Sequence, residues 1–440
     1  RSKGEAWIDE WRDACRIPSV SDDLGALEAM ADWIDERLAK LFDRVQRIPV
    51  PGHGPALAAT LDGTGPERLL VYTHYDVQPA GDLQLWSSDP FGAELVNGAV
   101  VARGTCDDKA DITARLQALE VWLESLGGPP PFTIVWLCEG AEEIGSPGLS
   151  ELIASHRDLL RADWCLWESF IRSAAGRPEI GFGCRGSAQL ELSVRTLTAD
   201  QHSAFAPVFR SAALELSHAI ASLVDTRGNV LVDGFADAVR PPTAAEYEVG
   251  LSVAPPGADL GVGSASPYLD GLDERALADR LLYVPTVNVS AVAAGDLAGP
   301  GVVTSTARAH VGLNLVPDQE PDDVVELVRR HLDAHGFEAV ELTVLATCRP
   351  AKSPVDSALG RAAIAAARET MGEPVVYPLL PGAGPARLVL DELGAPTVSP
   401  AGTTRLASGI HAPDEHGTVS DYLDHVRFSY ELLVQLAAQN

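Results

Sequence analysis

Positive charge is scarce in this sequence: 33 Lys and Arg stand against 62 Asp and Glu, leaving a net charge of −29 over 440 residues. Phosphate backbones and anionic membrane surfaces repel so acidic a chain, which excludes nucleic-acid binding or membrane recognition through a basic face. Long hydrophobic runs are also missing. No apolar stretch reaches the roughly 18 to 20 residues a spanning helix needs, and the opening RSKGEAWIDEW has no signal-peptide core. The six cysteines (Cys15, Cys106, Cys138, Cys165, Cys184, Cys348) contain no CxxC pair, so neither a disulfide framework nor a zinc knuckle is expected. The expectation is a cytoplasmic protein with reduced thiols that acts on a small molecule.

Hydrophobic residues make up 46% of the chain, ample for two or three folded domains at this length. After two amphipathic helices (about 4–17 and 23–42), apolar strands alternate with helical patterns. LLVYTH (69–74) precedes KADITARLQALEVWLESL (109–126), then come FTIVWLCEG (132–140) and ADWCLWES (162–169). That order predicts an α/β fold with a mixed, mostly parallel sheet and helices on both faces. From Arg185 the order becomes strand (188–196), helix (near 209–225), strand (286–295), strand (307–317), helix (near 321–335), strand (339–348), the ferredoxin-like α+β unit. The expected organisation is a catalytic domain in two parts, 1–185 and 351–440, interrupted by an inserted lid or dimerisation domain at 186–350. The Pro/Gly-rich stretch 228–285 reads as a hairpin or loop.

Chemistry-bearing residues fall just after the strands. LLVYTHYDVQPAG sets His74 and Asp76 two residues apart, ARGTCDDKAD puts Asp107 and Asp108 in a loop opening a helix, and CEGAEEIGSPG delivers Glu139, Glu142 and Glu143. Glu168 follows DWCLW and His411 lies in SGIHAPDEHG. Each alone is explained by a capped turn, an N-cap or a solvated acidic loop. Together, five strand-end segments offer His, Asp, Glu, Glu and His at the sheet edge where α/β proteins bind ligands, a nitrogen and oxygen donor set suited to zinc or another borderline divalent ion.

On these motifs the chain resembles the dizinc metallopeptidase family of carnosinase-type dipeptidases, aminoacylase, glutamate carboxypeptidase and succinyl-diaminopimelate desuccinylase. The resemblance runs from about residue 5 to the end. It implies two zinc ions per chain, with cobalt or manganese as alternatives: His74 and Glu168 on one, Glu143 and His411 on the other, Asp107 bridging both. It further implies that Asp76 orients His74 and that Glu142 is the general base of an amide hydrolysis. His202, in TADQHSAFAP, matches a lid histidine that reaches a partner subunit's site, and implies a homodimer through the inserted domain.

The recognition residues depart from the family pattern. Ala204 and Ser211-Ala212 stand where a glycine and an Asn-Pro are usual, Ala383 replaces a serine, and Asn314, in GLNLVP, replaces the arginine that clamps a substrate carboxylate. An amide lacks the charged fork of a guanidinium. Either the substrate lacks that carboxylate, or Arg387, Arg405 or Arg210 supplies the cation. The function expected is hydrolysis of a dipeptide-like or N-acyl amide. The alternatives are a specialised amidohydrolase of secondary metabolism, an acyl or aminoacyl transfer enzyme, and a non-catalytic metal-binding relative; Glu142 and Asp76 argue against the last, because binding alone needs neither.

Overall fold

The computed structural model describes residues 2–173, 175–255, 268–269, 272–383 and 386–439. A six-stranded sheet forms the larger layer. Its strands are β1 (Arg44–Ile48), β2 (Ala56–Leu61), β3 (Arg68–His74), β4 (Thr133–Glu139), β5 (Trp164–Leu166) and β10 (Thr397–Val398). They lie in the order β1-β2-β4-β3-β5-β10. The last four are parallel, and β1 and β2 form an antiparallel flank.

Both faces of this sheet are covered, so its central strands are continuous apolar runs. Alternate residues feed opposite cores. Leu69, Val71, Ile134 and Trp136 pack with Met30, Ile34, Trp122 and Phe428 on one side; Leu70, Tyr72, Val135 and Leu137 pack with Leu152, Ile153, Trp167 and Val389 on the other. Burying each large aliphatic side chain contributes about 1.5–3 kcal/mol. The helix Lys109–Leu126 is buried over nearly all of its first three turns, because the helices Lys3–Cys15 and Val419–Ala437 flank it; this explains why it has no clear polar face.

The second sheet holds β6 (Gly183–Arg195), β7 (Thr286–Ala294), β8 (Thr306–Leu315) and β9 (Val340–Cys348), in the order β7-β8-β6-β9. The pairings among these four strands are antiparallel. The helices Ala212–Leu223 and Pro321–Ala334 close one face over Leu190, Leu192, Val311 and Leu313, giving the ferredoxin-like order expected. Strand β6 changes partners along its length: Gly183 and Cys184 pair with Lys352 and Ala351, whereas Gly186–Arg195 pairs with β8.

The stretch read as a hairpin or loop instead carries two helices, Ala244–Gly250 and Glu274–Tyr283; residues 256–267, 270 and 271 within it lie outside the described residues. The first helix starts at a capping box in which Thr243 and Glu246 exchange hydrogen bonds, a Thr-x-x-Glu signal present in the sequence. Among the described residues no helix is long and apolar enough to cross a membrane.

Candidate metal centre and active site

Strand register brings the site together. His74 ends β3 opposite Glu139 of β4. On the other side Val71 pairs with Leu166 of β5, so Glu168, two residues past that strand, emerges at the same edge. His74 Nε2 lies 3.0 Å from Asp107 Oδ1 and 3.3 Å from Glu168 Oε2. The second oxygen of Asp107 is 3.2 Å from His411 Nε2, which stands 2.9 Å from Glu143 Oε2. Asp107 therefore offers one oxygen to each imidazole.

Asp108 is also close. Its ligand oxygen clusters with His74 and Glu168 as that of Asp107 does with Glu143 and His411, all within 4.8 Å in each group. Asp108, however, already accepts the His74 backbone amide at 3.2 Å, whereas Asp107 contacts His74 Nε2 directly.

The donor set fits divalent ions. Two ligands about 2.0–2.1 Å from a tetrahedral zinc stand about 3.3 Å apart, close to the nitrogen–oxygen separations around both histidines. The surrounding charge is complementary to a cation. Hydrogen bonds to Asp107 and Glu143 raise His411 to about 10. Burial disfavours charge on His74, but Asp107, Asp76 and Glu168 outweigh it and raise its pKa well above the usual imidazole range. Carboxylates at these distances favour positive charge between them, whether a proton or a metal ion.

Three buried side chains hold the cluster in place. Asp76, fully buried, accepts the amides of Glu142 and Glu143 at 3.0 and 3.1 Å and the Ser21 hydroxyl at 2.8 Å, while its Oδ1 lies 3.4 Å from His74 Nδ1. One carboxylate thus ties His74 to the loop carrying Glu142 and Glu143. Glu415 accepts the amides of Gly104, Cys106 and Asp107 and the Arg103 guanidinium. It thereby joins the segment bearing His411 to the loop bearing Asp107. Arg115 donates to the carbonyls of Tyr72 and Trp167 and pairs with Asp111, whose carboxylate accepts the Ser169 amide. That arrangement fixes the ends of β3 and β5.

Smaller contacts orient the donors. The Trp167 indole donates to Glu168 Oε1 at 2.8 Å, leaving Oε2 to face His74; Gln78 donates to Glu143 Oε2 at 3.0 Å. Gly104 has φ +76°, and a Cβ there would meet Val77 at 2.3 Å, so this loop requires glycine. The Asp107–Asp108 peptide is cis. Arg115 escapes a sequence reading because nothing local distinguishes it; Gln78 and Glu415, each four residues after a histidine of the cluster, carry no further signal.

The chain matches Peptidase family M20/M25/M40 over residues 70–435. It belongs to that family. Among its relatives, the Cys-Gly metallodipeptidase dug1 of Schizosaccharomyces pombe is 28% identical over 75% of this chain and 73% of its own length. The Beta-Ala-His dipeptidase of Mus musculus is 28% identical over 72% of this chain, a match spanning only 64% of that relative. Of solved structures, the M20 family metallo-carboxypeptidase Sso-CP2 from Sulfolobus solfataricus aligns over 100% of both chains at 30% identity and TM-score 0.85. These findings make the chain a metal-dependent metallopeptidase of the M20 family, with the mixed α/β fold expected.

Other residues expected at an M20 site lie apart from the cluster in their bonding. His202, on a two-residue strand paired with Val302-Val303, is exposed, and its Nδ1 accepts the Ala204 amide. Arg387 donates to the Pro350 carbonyl and pairs with Asp391. Arg405 forms a two-pronged pair with Asp421 at 2.6 and 2.8 Å, and Arg210 pairs with Glu215. All three guanidiniums are thus engaged by carboxylates outside the cluster. Asn314 faces Thr286, to which its Nδ2 donates. Ala383 ends the strand Leu380–Ala383; residues 384 and 385 of its loop lie outside the described residues.

Proposed function

We propose that this M20 chain is a cytoplasmic, dinuclear zinc hydrolase that cleaves the amide bond of a dipeptide-like or N-acyl amino compound. Cobalt and manganese suit the same donors. The observation that carries this reading is Asp107, with one oxygen toward His74 and the other toward His411. A carboxylate so placed would bridge two ions, with His74 and Glu168 completing one site and Glu143 and His411 the other. The chemistry such ions supply when bound is polarisation of the scissile carbonyl and acidification of a water.

Glu142 would hold the proton in transit. Burial pushes its carboxyl up to about 8, opposed by His74 and reinforced by Glu168, Asp107 and Glu143, so it titrates near the range a general base needs. Its backbone amide is fixed by Asp76, which sets where the carboxylate stands. It would take the proton of the attacking water and return it to the leaving nitrogen. His202, exposed on the second sheet's periphery, would serve a partner's site within a homodimer.

Glu142→Gln tests the assignment, because an amide cannot accept that proton. The expected outcome is unchanged metal content and a loss of turnover of about a hundredfold or more, read on a panel of dipeptides, N-acyl amino acids and carbamoyl compounds. Turnover of the variant at the unsubstituted rate would overturn the mechanism.

A further inference from the structure

Of the three acidic residues in CEGAEEIGSPG, Glu139 is the one to which the metal centre and the proposed mechanism give no part. It ends β4 opposite His74 and is 4% exposed. Its carboxylate pairs with no Arg, Lys or His among the described residues. Holding an unpaired carboxylate in the core is costly unless its hydrogen bonds are made. Here Oε1 accepts both the Tyr72 hydroxyl and the Ser146 hydroxyl, the latter at 2.8 Å. Ser146 has φ +52°, a conformation uncommon outside glycine, and its amide donates to the Ala141 carbonyl at 2.9 Å. Glu139 thus fastens the far end of the loop that carries Glu142 and Glu143.

Tyr72 carries the connection across to the end of β5. Its buried ring stacks on the Trp167 indole, with centroids 3.6 Å apart and planes within 4°, and Trp167 Nε1 donates to Glu168 Oε1 at 2.8 Å. Trp167 and Glu168 both line a cavity of about 190 Å³, so packing does not confine the indole on every side. The stack on Tyr72 does, and the bond to Glu139 holds Tyr72 in turn. Glu168 needs such a restraint: it lies two residues past its strand, and a glutamate must give up considerable rotamer freedom to serve as a ligand. With Oε1 held by the indole, Oε2 faces His74 at 3.3 Å. The contacts form one chain, Ser146–Glu139–Tyr72–Trp167–Glu168, from the loop of one half of the site to a ligand of the other.

We infer that Glu139, Tyr72 and Trp167 are positioning residues that set Glu168 against the loop bearing Glu142 and Glu143, so that one metal site is fixed relative to the other. What position 139 must supply is an acceptor at Oε1, not a negative charge. The role of this chain of contacts rests on the dinuclear hydrolase reading for what Glu168 and Glu143 hold, while the contacts themselves are read by metal binding without turnover.

The test is titration of the metal-free protein with cobalt(II), followed by visible absorption, which reports coordination geometry as well as affinity. Tyr72→Phe keeps the stack and loses the hydroxyl, and Trp167→Phe keeps an aromatic ring and loses the indole N–H. Each should weaken cobalt binding by about 10- to 100-fold, the range for residues that orient metal ligands, and alter the absorption. The double variant should lose less than the product of the two single losses, because both act through one carboxylate. Glu139→Met, of similar length without an acceptor, should resemble Tyr72→Phe, whereas Glu139→Gln, whose carbonyl oxygen can take both hydroxyls, should keep the unsubstituted affinity and absorption. Tyr72→Phe removes a single oxygen and is expected to fold even if Glu139→Met does not. Unchanged affinity and absorption in Tyr72→Phe, losses that multiply in full, or a Glu139→Gln protein as impaired as Glu139→Met would each overturn the inference. Stoichiometric cobalt uptake by a protein that hydrolyses no amide would sink the hydrolase reading alone, and no uptake at all would sink both.

Discussion

Glu415→Gln is the substitution whose consequences the structure specifies most fully. The Glu415 carboxylate is 1% exposed. Oε2 accepts Arg103 Nη1 at 2.7 Å and the Gly104 amide at 3.0 Å, and Oε1 accepts the amides of Cys106 and Asp107 at 3.0 and 3.4 Å. Glutamine keeps the shape but offers one acceptor end. Whichever way its amide turns, the NH2 group meets either two backbone amides or an amide and a guanidinium. Arg103, 2% exposed, is left without a counter-charge. Removing one partner of a buried pair costs about 3–5 kcal/mol. Part of that loss falls on the loop that carries Asp107, so metal affinity should weaken by about 10- to 100-fold, as for other residues that hold metal ligands.

Urea unfolding at fixed free zinc reads the first effect, and competition with a chelator reads the second. A double-mutant cycle with Arg103→Met separates the pair from the loop. Removing both charges leaves no orphaned cation, and the interaction energy should be about 1–3 kcal/mol. Glu415→Gln with unchanged unfolding midpoint and unchanged zinc affinity would refute the reasoning, because the carboxylate would then hold neither Arg103 nor the loop.

Asp107→Ala should lose more metal than any other single substitution, since Asp107 alone faces both histidines; metal analysis of the purified variant checks this. His202→Ala should depress turnover while leaving metal content unchanged, and sedimentation should find a homodimer. A strictly monomeric protein with full activity at low concentration would contradict that pair of expectations. Asn314→Arg should raise the preference for acid over amide by about 10- to 100-fold in efficiency, measured on L-alanyl-L-alanine and L-alanyl-L-alaninamide.

The sheet was legible because its central strands are uninterrupted apolar runs such as LLVYTH and TIVWLCE, and because strands in a parallel sheet end at one edge. The same rule made His74, Asp107, Glu143, Glu168 and His411 readable as one set, and register then brings them together: Val71 opposite Leu166 places Glu168 beside His74. The residues that hold them were not legible. Arg115 lies mid-helix and Glu415 in a loop, and their partners are backbone groups 43–52 and more than 300 residues away. Asp76 was readable as a partner of His74 two residues off, but not as the acceptor of two amides from the next strand's loop. The short helices in 228–285 were missed because Pro and Gly recur through the stretch and break up its periodicity, although the Thr243 capping box marked one of them.

Metal-binding and recognition residues occupy different parts of the fold, and this has a mechanical consequence. Three of the proposed ligands, His74, Glu143 and Glu168, follow strands of the first sheet, while Asp107 follows the strand Ala99–Val101 of a separate sheet and His411 lies in a loop; Asp76, Glu415 and Arg115 lock the set. Asn314, the position expected to govern recognition, sits elsewhere, on β8, which pairs with β6, the strand that leaves the first region to form the second sheet. A substitution at Asn314 therefore has no direct route to the His74–Asp107–His411 geometry, while one at Asp76 or Glu415 moves that geometry directly. The two groups should separate by phenotype: a change at Asn314 alters the acid-to-amide ratio at constant metal affinity, and changes at Asp76 or Glu415 alter metal affinity at a constant ratio among the molecules that retain metal. Asn314→Arg shifting zinc affinity as much as Glu415→Gln does would show that the second sheet is mechanically coupled to the metal centre through β6, the strand shared by both regions.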